Sequence, residues 1–378
     1  MTSHSPHKRI LHVYQSPSYS GAEAYARDVA LWHVKNQNEV VFLAKKESPL
    51  FAKLSGDKKE LKGSSFHVEL DERNIDFHSF DAIILHSTRE LKAHWPRLLW
   101  ARRGGKKPCI VLYSHIWISH SKRDPLHYLF YKLIDQFWAS SEASKRNLDK
   151  LLPMNRENIR VVRYGRDIEA FEKNLKSRKQ AREHLKIPLD AKVVGTMSRV
   201  DKGKGSRELF DSAISLLKEY PNLHFLMIGP ATASDPKALV LDREFENELE
   251  ALNSVQPSVR SRVHKVGRLD EGSSYLSAFD LFVLATYKEN FALTLLEAQL
   301  AGLPCLATNS GGSPDLVVPG KTGWLFEPES KTSLESAVRH ALSEESKWSA
   351  ISRESKEQVR QAYRLDRVLN ELDRHLGI

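Results

Sequence analysis

Short unbroken apolar runs alternate with longer stretches whose apolar residues recur at helical spacing along most of this 378-residue chain. The first series is RILHVY (9–14), VVFLA (40–44), DAIILH (81–86), CIVLYSH (109–115) and QFWASS (136–141). A second series follows: KVVGTMSR (192–199), HFLMIGP (224–230), RVHKVG (262–267), DLFVLAT (280–286) and PCLATN (304–309). Strands covered by helices on both faces lose the in-out alternation of a half-buried strand, so such runs predict parallel strands joined by crossover helices. Two series predict an α/β protein of two Rossmann-like, doubly wound parallel-sheet domains in tandem. Between them EKNLKSRKQAREHLKIPLDA (172–191) is charged and poor in large apolar residues, which suits a surface connection. The boundary is placed there, giving domains of 1–173 and 174–359. The tail reads as amphipathic helices, with Leu334, Val338 and Leu342 and then Val368 and Leu372 at helical spacing.

Composition changes this picture little. Hydrophobic residues at 41% and charged residues at 28% belong to a globular chain. No apolar run approaches the roughly 20 residues of a spanning helix. The polar start MTSHSPHKR lacks the apolar stretch of a secretory signal, so the expected location is cytoplasmic. The two cysteines, Cys109 and Cys305, lie in apolar runs without Cys or His at metal-ligand spacing and read as buried free thiols. A net charge of +9 points to anionic partners: nucleic acid, acidic lipid or phosphorylated small molecules. The basic residues are spread through both halves rather than gathered with aromatics, which argues against nucleic acid.

Open parallel sheets bind ligands beyond the carboxyl ends of their strands. After the first strand, Gly21 opens a helical pattern and would let backbone amides approach an anion, although an ordinary turn reads the same way. The spacing of a dinucleotide fingerprint is absent. His115 stands where a strand should end, as a structural or a catalytic residue. Arg199 and Lys204 share a glycine-containing loop that leads into a helix, an arrangement suited to a diphosphate or simply to a solvated basic loop. In YKENFALTLLEAQLAGLPCLATNSGGSPDLV (287–317), Asn290 is a good N-cap for a helix over 291–301 that Gly302 and Pro304 terminate. Leu293, Leu296 and Leu300 form its buried stripe, and Glu297 lies off that stripe with Thr294 and Ala301. Eight helical residues rise about 12 Å, so Glu289 and Glu297 would suit the hydroxyl pairs at the two ends of a nucleotide sugar. The alternative is a carboxylate favouring the helix dipole and a second surface charge. Gly311 and Gly312 add backbone amides unobstructed by side chains.

In order, SRVDKGKG, KENFALTLLEAQLAGLPCLAT and NSGGSPDLVVPGKTGWLF resemble the diagnostic segments of the retaining glycosyltransferases of family four. VVRYGRDIEAF (161–171) is similar to the interdomain strand and turn of that family, and Ser20-Gly21-Ala22-Glu23 to its acceptor-side glycine loop. The resemblance implies a GT-B fold, with two domains facing across a deep cleft and a helix over 360–378 completing the first. It implies that Arg199 and Lys204 bind the donor diphosphate and Glu297 the ribose. Glu289, with amides near Asn290, Phe291 and Ala292, would hold the transferred sugar. Gly21 would approach the phosphate, His115 would contact the sugar near the reacting carbon, and Gly229 and Arg268 would line the donor side. The chain departs from the family pattern in Ala285-Thr286-Tyr287-Lys288 before the first carboxylate, in Asn290 and Ala292 around Phe291, and in Asp315 where Glu is common.

The implied reaction is transfer of a hexose from a nucleoside diphosphate sugar, UDP before GDP, to a glycan or lipid-linked acceptor in bacterial polysaccharide or lipopolysaccharide synthesis. The anomeric configuration would be kept by front-face attack, without metal or other cofactor, cations and a helix end stabilising the leaving diphosphate. Rival readings are a nucleotide-sugar epimerase on the same plan, a non-catalytic nucleotide-sugar binder, and a nucleic-acid-binding protein. HWPRLLWARRGGKK (94–107) combines tryptophan with basic residues and suits either a peripheral contact with the anionic inner face of a membrane or a plain solvated helix. Pro96 and the glycine pair 104–105 argue against one long amphipathic helix there.

Overall fold

The computed structural model describes residues 7–61, 65–103, 105 and 107–377. In it the ten apolar runs become strands of two all-parallel sheets, nine of them inner strands and RVHKVG an edge strand. The first sheet holds β1 (Arg9–Tyr14), β2 (Glu39–Ala44), β3 (Phe66–Glu69), β4 (Ala82–Leu85), β5 (Cys109–Tyr113), β6 (Gln136–Ala139) and β7 (Ile159–Val161), in the order β3-β2-β1-β4-β5-β6-β7. The second holds β8 (Lys192–Met197), β9 (Leu223–Ile228), β10 (Val263–Val266), β11 (Leu281–Leu284), β12 (Cys305–Thr308) and β13 (Trp324–Phe326), in the order β10-β9-β8-β11-β12-β13. Strands β3, β7 and β13 were not among the ten apolar runs. All three are edge strands of three or four residues with partly exposed positions, so no long apolar run is needed to seat them.

Burial on both faces explains the runs. In β1 every residue after Arg9 is buried, and Ile10 lies opposite Val40 of β2 and Ala82 of β4. One face packs Leu11, Val13, Ile83 and Leu112 with helix residues Leu91, Leu98 and Leu148. The other packs Val40 and Phe42 with Ala26, Ala30 and Leu54. In the second sheet Val194, Phe225 and Val283 join Leu209, Phe210, Leu334 and Val338.

The chain divides into two compact units, Met1–Gly165 with Asp366–Ile378, and Arg166–Leu365. The division falls at 165/166, where the sequence reading placed it at 173/174. The charged segment 172–191 is not a simple surface connection. It carries the helix Arg178–Leu185, and Arg182 within it is fully buried. Its guanidinium donates to the carbonyls of Ala278, Pro188, Leu189 and Ala191 and to Asp280. A buried cation is tolerated when every N–H finds an acceptor, and composition cannot reveal that.

The last helix, Leu365–Leu376, buries Val368, Leu369 and Leu372. Its Asp373 accepts hydrogen bonds from Trp32 and His33. The helix Thr88–Ala101 runs straight through Pro96 and stops before the glycine pair. Gly104 and Lys106 of that basic stretch lie outside the described residues. Both cysteines are free, Cys305 buried and Cys109 partly so, and burial pushes the Cys109 thiol up to about 11. No helix among the described residues is long and apolar enough to cross a membrane.

Candidate functional site

Because the strands of the second sheet are parallel, the loops that follow β10, β9, β8, β11 and β12 leave from one edge in that spatial order. They carry, respectively, Arg268, Gly229, Arg199 with Lys204, Glu289, and Gly311 with Gly312. The direction of winding reverses between β8 and β11, the place where open sheets of this kind hold ligands. Lys204 and Glu289 sit on the two loops that flank it. Their side chains meet at 2.7 Å, Lys204 Nζ donating to Glu289 Oε2, and both are partly exposed.

The lysine loop is a short turn, Lys202–Lys204, closed by Asp201, which accepts from the Gly203 amide at 2.8 Å and from the Thr232 hydroxyl at 3.1 Å. The carboxylate loop is fastened to it and to the next loop. The Tyr287 amide donates to the Gly203 carbonyl at 2.9 Å, and the Tyr287 hydroxyl donates to Glu208 at 2.6 Å. Ser310 Oγ donates to the Tyr287 carbonyl, and Thr308 Oγ1 to the Thr286 carbonyl at 2.7 Å.

The paired glycines do something other than expected. The Gly312 amide is spent on the Glu289 carbonyl at 2.8 Å. Gly311 has φ +56°, and a Cβ there would lie 2.2 Å from the Glu289 carbonyl oxygen. The pair therefore holds the Glu289 backbone in place rather than simply presenting amides to a ligand. Gly229, at φ +139°, plays a similar part for the arginine loop: a Cβ on it would lie 2.1 Å from the Ser198 carbonyl oxygen. Arg199 and Arg268 are exposed on the same edge.

The helix after Glu289 is shorter than the pattern predicts. It runs Leu293–Leu300 with Ala292 at its N-cap, so Asn290 is not the cap and is instead buried in the preceding loop with Phe291 and Ala292. Leu295, Leu296, Ala298, Gln299 and Leu300 are all buried, whereas Leu293 is partly exposed, so burial extends well beyond the predicted stripe. The eight residues from Glu289 to Glu297 are consequently not a helical rise. Glu297 is buried as well, and Arg166 meets it at 2.5 Å. Burial raises the Glu297 carboxyl above its ordinary value, and Arg166 offsets part of that rise. Sequence reasoning missed Arg166. It sits at the end of VVRYGR, far from Glu297 in the chain, and its backbone is fixed by the Tyr363 carbonyl and the Leu365 amide.

The two remaining candidates belong to the first unit. Gly21 begins the helix Gly21–Lys35, as expected. Glu23 already occupies the first turn, accepting from the Ser20 amide at 2.8 Å and from the hydroxyls of Ser16, Ser18, Ser20 and Tyr14. Burial pushes the Glu23 carboxyl up, but the bonds from Ser16 and Ser20 outweigh it and leave it below its usual value. His115 follows β5 and is buried. Its Nε2 faces His86 Nδ1 at 2.9 Å, its Nδ1 faces the Tyr164 hydroxyl, and burial lowers its pKa to about 3. It is a neutral imidazole with both nitrogens engaged. Among the described residues no group of three or more His, Cys, Asp or Glu side chains is arranged to hold a metal ion.

Residues 177–358 match the family model for glycosyl transferases group 1. Over 222 residues the chain is 28% identical to the D-inositol 3-phosphate glycosyltransferase of Corynebacterium urealyticum, covering 58% of this chain and 51% of that one. It is 24% identical over 204 residues to the capsular polysaccharide biosynthesis glycosyltransferase CapM of Staphylococcus aureus, covering 54% and 50%. The chain thus spans about half the length of these curated relatives. Among solved structures, Anabaena Alr3699/HepE in complex with UDP and glucose superposes with a TM-score of 0.81 over 98% of this chain and 100% of that one, at 19% identity. Sucrose-phosphate synthase of Thermosynechococcus elongatus gives 0.72 over 97% and 98%, at 17% identity. The fold is GT-B, with two Rossmann-like domains.

Proposed function

We propose, from the match of residues 177–358 to the family model for glycosyl transferases group 1, that this chain moves a hexose from a nucleoside diphosphate sugar to an acceptor hydroxyl with retention of configuration. The observation that carries this reading is the Lys204–Glu289 pair at the switch point of the second sheet. A cation for the diphosphate and a carboxylate for sugar hydroxyls already share one spot there. On binding, the diphosphate competes for the Lys204 ammonium, which has three donors, and frees Glu289 oxygen to accept from the sugar. Arg199 on the same loop adds a second cation. Glu297 supplies the ribose with a carboxylate held by Arg166, and Asn290, Phe291 and Ala292 line the sugar side. His115 remains the sugar-contacting residue of the first unit.

The charge to be stabilised in the transition state is that of the departing diphosphate, and Lys204 with Arg199 meets it without a metal ion. UDP is the favoured nucleotide, since the neighbour HepE holds UDP and glucose. A role in surface polysaccharide synthesis in the cytoplasm accords with the CapM likeness. A lipid-linked acceptor accords with the helices Thr88–Ala101 and Pro125–Tyr131 of the first unit. On or beside them Trp95, Trp100, Leu126, Tyr128, Leu129, Lys92, Arg103, Arg123 and Lys132 are exposed, and the rings of Trp95 and Phe130 lie tilted with centroids 5.9 Å apart. Exposed apolar side chains interspersed with cations along the chain suit the surface of an anionic bilayer.

The test is a thermal-shift screen of UDP- and GDP-sugars, followed by product analysis with and without acceptor. A donor at 100 times its Kd stabilises the native state by about 2.7 kcal/mol. Stabilisation by a UDP-sugar and acceptor-dependent release of UDP are expected. Conversion of the donor without any acceptor would mark an epimerase, and no shift with any nucleotide sugar would overturn the reading.

A further inference from the structure

Four buried imidazoles run in single file through the first unit, and the proposed chemistry uses only the last of them. Asp373 Oδ1 meets His33 Nε2 at 3.0 Å, His33 Nδ1 meets His12 Nε2 at 3.0 Å, and His12 Nδ1 meets His86 Nε2 at 3.0 Å. His86 Nδ1 then meets His115 Nε2 at 2.9 Å, and His115 Nδ1 meets the Tyr164 hydroxyl. His12, His33 and His86 have no exposed surface. The file is built by the fold: His12 is on β1, His86 follows β4 and His115 follows β5, three neighbouring strands. The rings of His12 and His86, and of His86 and His115, stack at 5.3 and 5.2 Å between centroids.

Every ring turns Nε2 toward Asp373 and Nδ1 toward Tyr164. A neutral imidazole has one N–H and one acceptor nitrogen, while a carboxylate only accepts. Asp373 therefore requires a proton on His33 Nε2, which leaves His33 Nδ1 to accept from His12, and the requirement passes along the file. It ends with His115 protonated on Nε2 and accepting from Tyr164 at Nδ1. The opposite polarity needs one extra proton, either on His33 beside Asp373 or on the Asp373 carboxyl itself, so in the file without that proton the direction is fixed by Asp373. Trp32 Nε1 holds the other Asp373 oxygen at 2.8 Å, so the carboxylate cannot turn away.

We propose that Asp373 is a positioning residue that sets the tautomer of His115 across three intervening histidines and thereby commits the Tyr164 hydroxyl proton to His115. Any further group that meets the Tyr164 oxygen must then be a donor, and His115 meets the transferred sugar in this one tautomer. The last step rests on the proposed sugar-contacting role of His115; the tautomer assignment does not.

The test is histidine-selective ¹⁵N NMR on the full-length protein, wild type and Asp373→Asn, because long-range ¹⁵N–¹H correlations separate the two tautomers and the imidazolium. Four neutral Nε2–H rings are expected in the wild type. An Nδ1–H ring at His115, or an imidazolium at His33, overturns the proposal whether or not the variant folds. In Asp373→Asn the amide can donate to His33 Nε2, and His115 is expected to shift toward Nδ1–H; an unchanged His115 overturns it. Kinetics on the same proteins separate the two levels. Asp373→Asn is expected to lower kcat about tenfold with UDP affinity unchanged, and Asp373→Glu to restore both kcat and the tautomer. A reversed tautomer with unaltered kcat would remove the positioning role and leave the transferase reading standing. A wild type with no transferase activity would remove that reading and leave the spectra to decide the file.

Discussion

Arg166 and Glu297 are joined at 2.5 Å, the one on the segment that enters the second unit and the other in the middle of an apolar helix. This pairing is why a carboxylate survives among Leu and Ala. Removing the arginine strips away the influence that lowers the Glu297 pKa, so the carboxyl, already raised by burial, rises further. A carboxyl whose pKa is higher in the folded state than in the unfolded chain favours folding at pH values below its unfolded value. It loses that contribution as pH climbs through its folded value. Arg166→Ala should therefore cost little near pH 4 and on the order of 3–5 kcal/mol at pH 8. Urea unfolding across that range checks it, and adding Glu297→Gln should abolish the pH dependence of the deficit.

Gly311 offers a test of how Glu289 is held. Alanine at this position meets two obstacles, a left-handed backbone costing about 1 kcal/mol and a collision with the Glu289 carbonyl. Gly320 is a matched control, with φ +74° and nothing within 4 Å of its would-be Cβ. Both alanine variants should lose similar backbone stability, but only Gly311→Ala should lower transfer, by tenfold or more on the order of. Comparable kcat values for the two would show that the glycine pair does not position Glu289.

The inner strands and the site loops could be read from the chain because both follow local rules. Buried parallel strands must be continuous apolar runs, and the groups that meet a ligand must follow them. What could not be read depends on distant partners. Arg166 looks like any charged turn residue until Glu297 is placed beside it, and Arg182 looks like surface until its five acceptors are counted. Asn290 fits the N-cap by type, yet the Tyr287 and Ser310 contacts pull the loop on to residue 292 before the helix begins. The histidines at 12, 33, 86 and 115 show no shared spacing, since the neighbouring order of β1, β4 and β5 aligns three of them and the helix Gly21–Lys35 brings His33 to His12.

Lys204 carries the heaviest electrostatic demand in the proposed transfer. Lys204→Ala should reduce kcat by a factor on the order of 10²–10³, the usual effect of deleting one preorganised group that faces developing charge. It should also leave Glu289 without its 2.7 Å partner. Initial rates of UDP release measure the first effect. The same assay in excess EDTA should give wild-type rates within about twofold, since the cations are proposed to act where other enzymes use a metal ion. Loss of activity in chelator, restored by a divalent cation, would contradict that part of the mechanism.

The histidine file should make the first unit sensitive to acid. Burial holds His12 and His86 well below their ordinary pKa and His115 at about 3. A histidine depressed in the folded state binds fewer protons there than in the unfolded chain. Its contribution is therefore complete above about 6.5 and is lost as pH falls toward the folded value. Each such group removes about 1.4 kcal/mol per pH unit, so three together remove about 4 kcal/mol per unit once pH is well below 6.5. In the second unit the comparable pair is His224 and His264, the latter lowered to about 4. Acidification from pH 7 to 5 should therefore loosen the first unit before the second. Hydrogen exchange read separately for residues 7–165 and 166–365 would show protection falling first on β1, β4 and β5. Equal loss in both units would mean that the buried imidazoles do not set the acid limit of this fold.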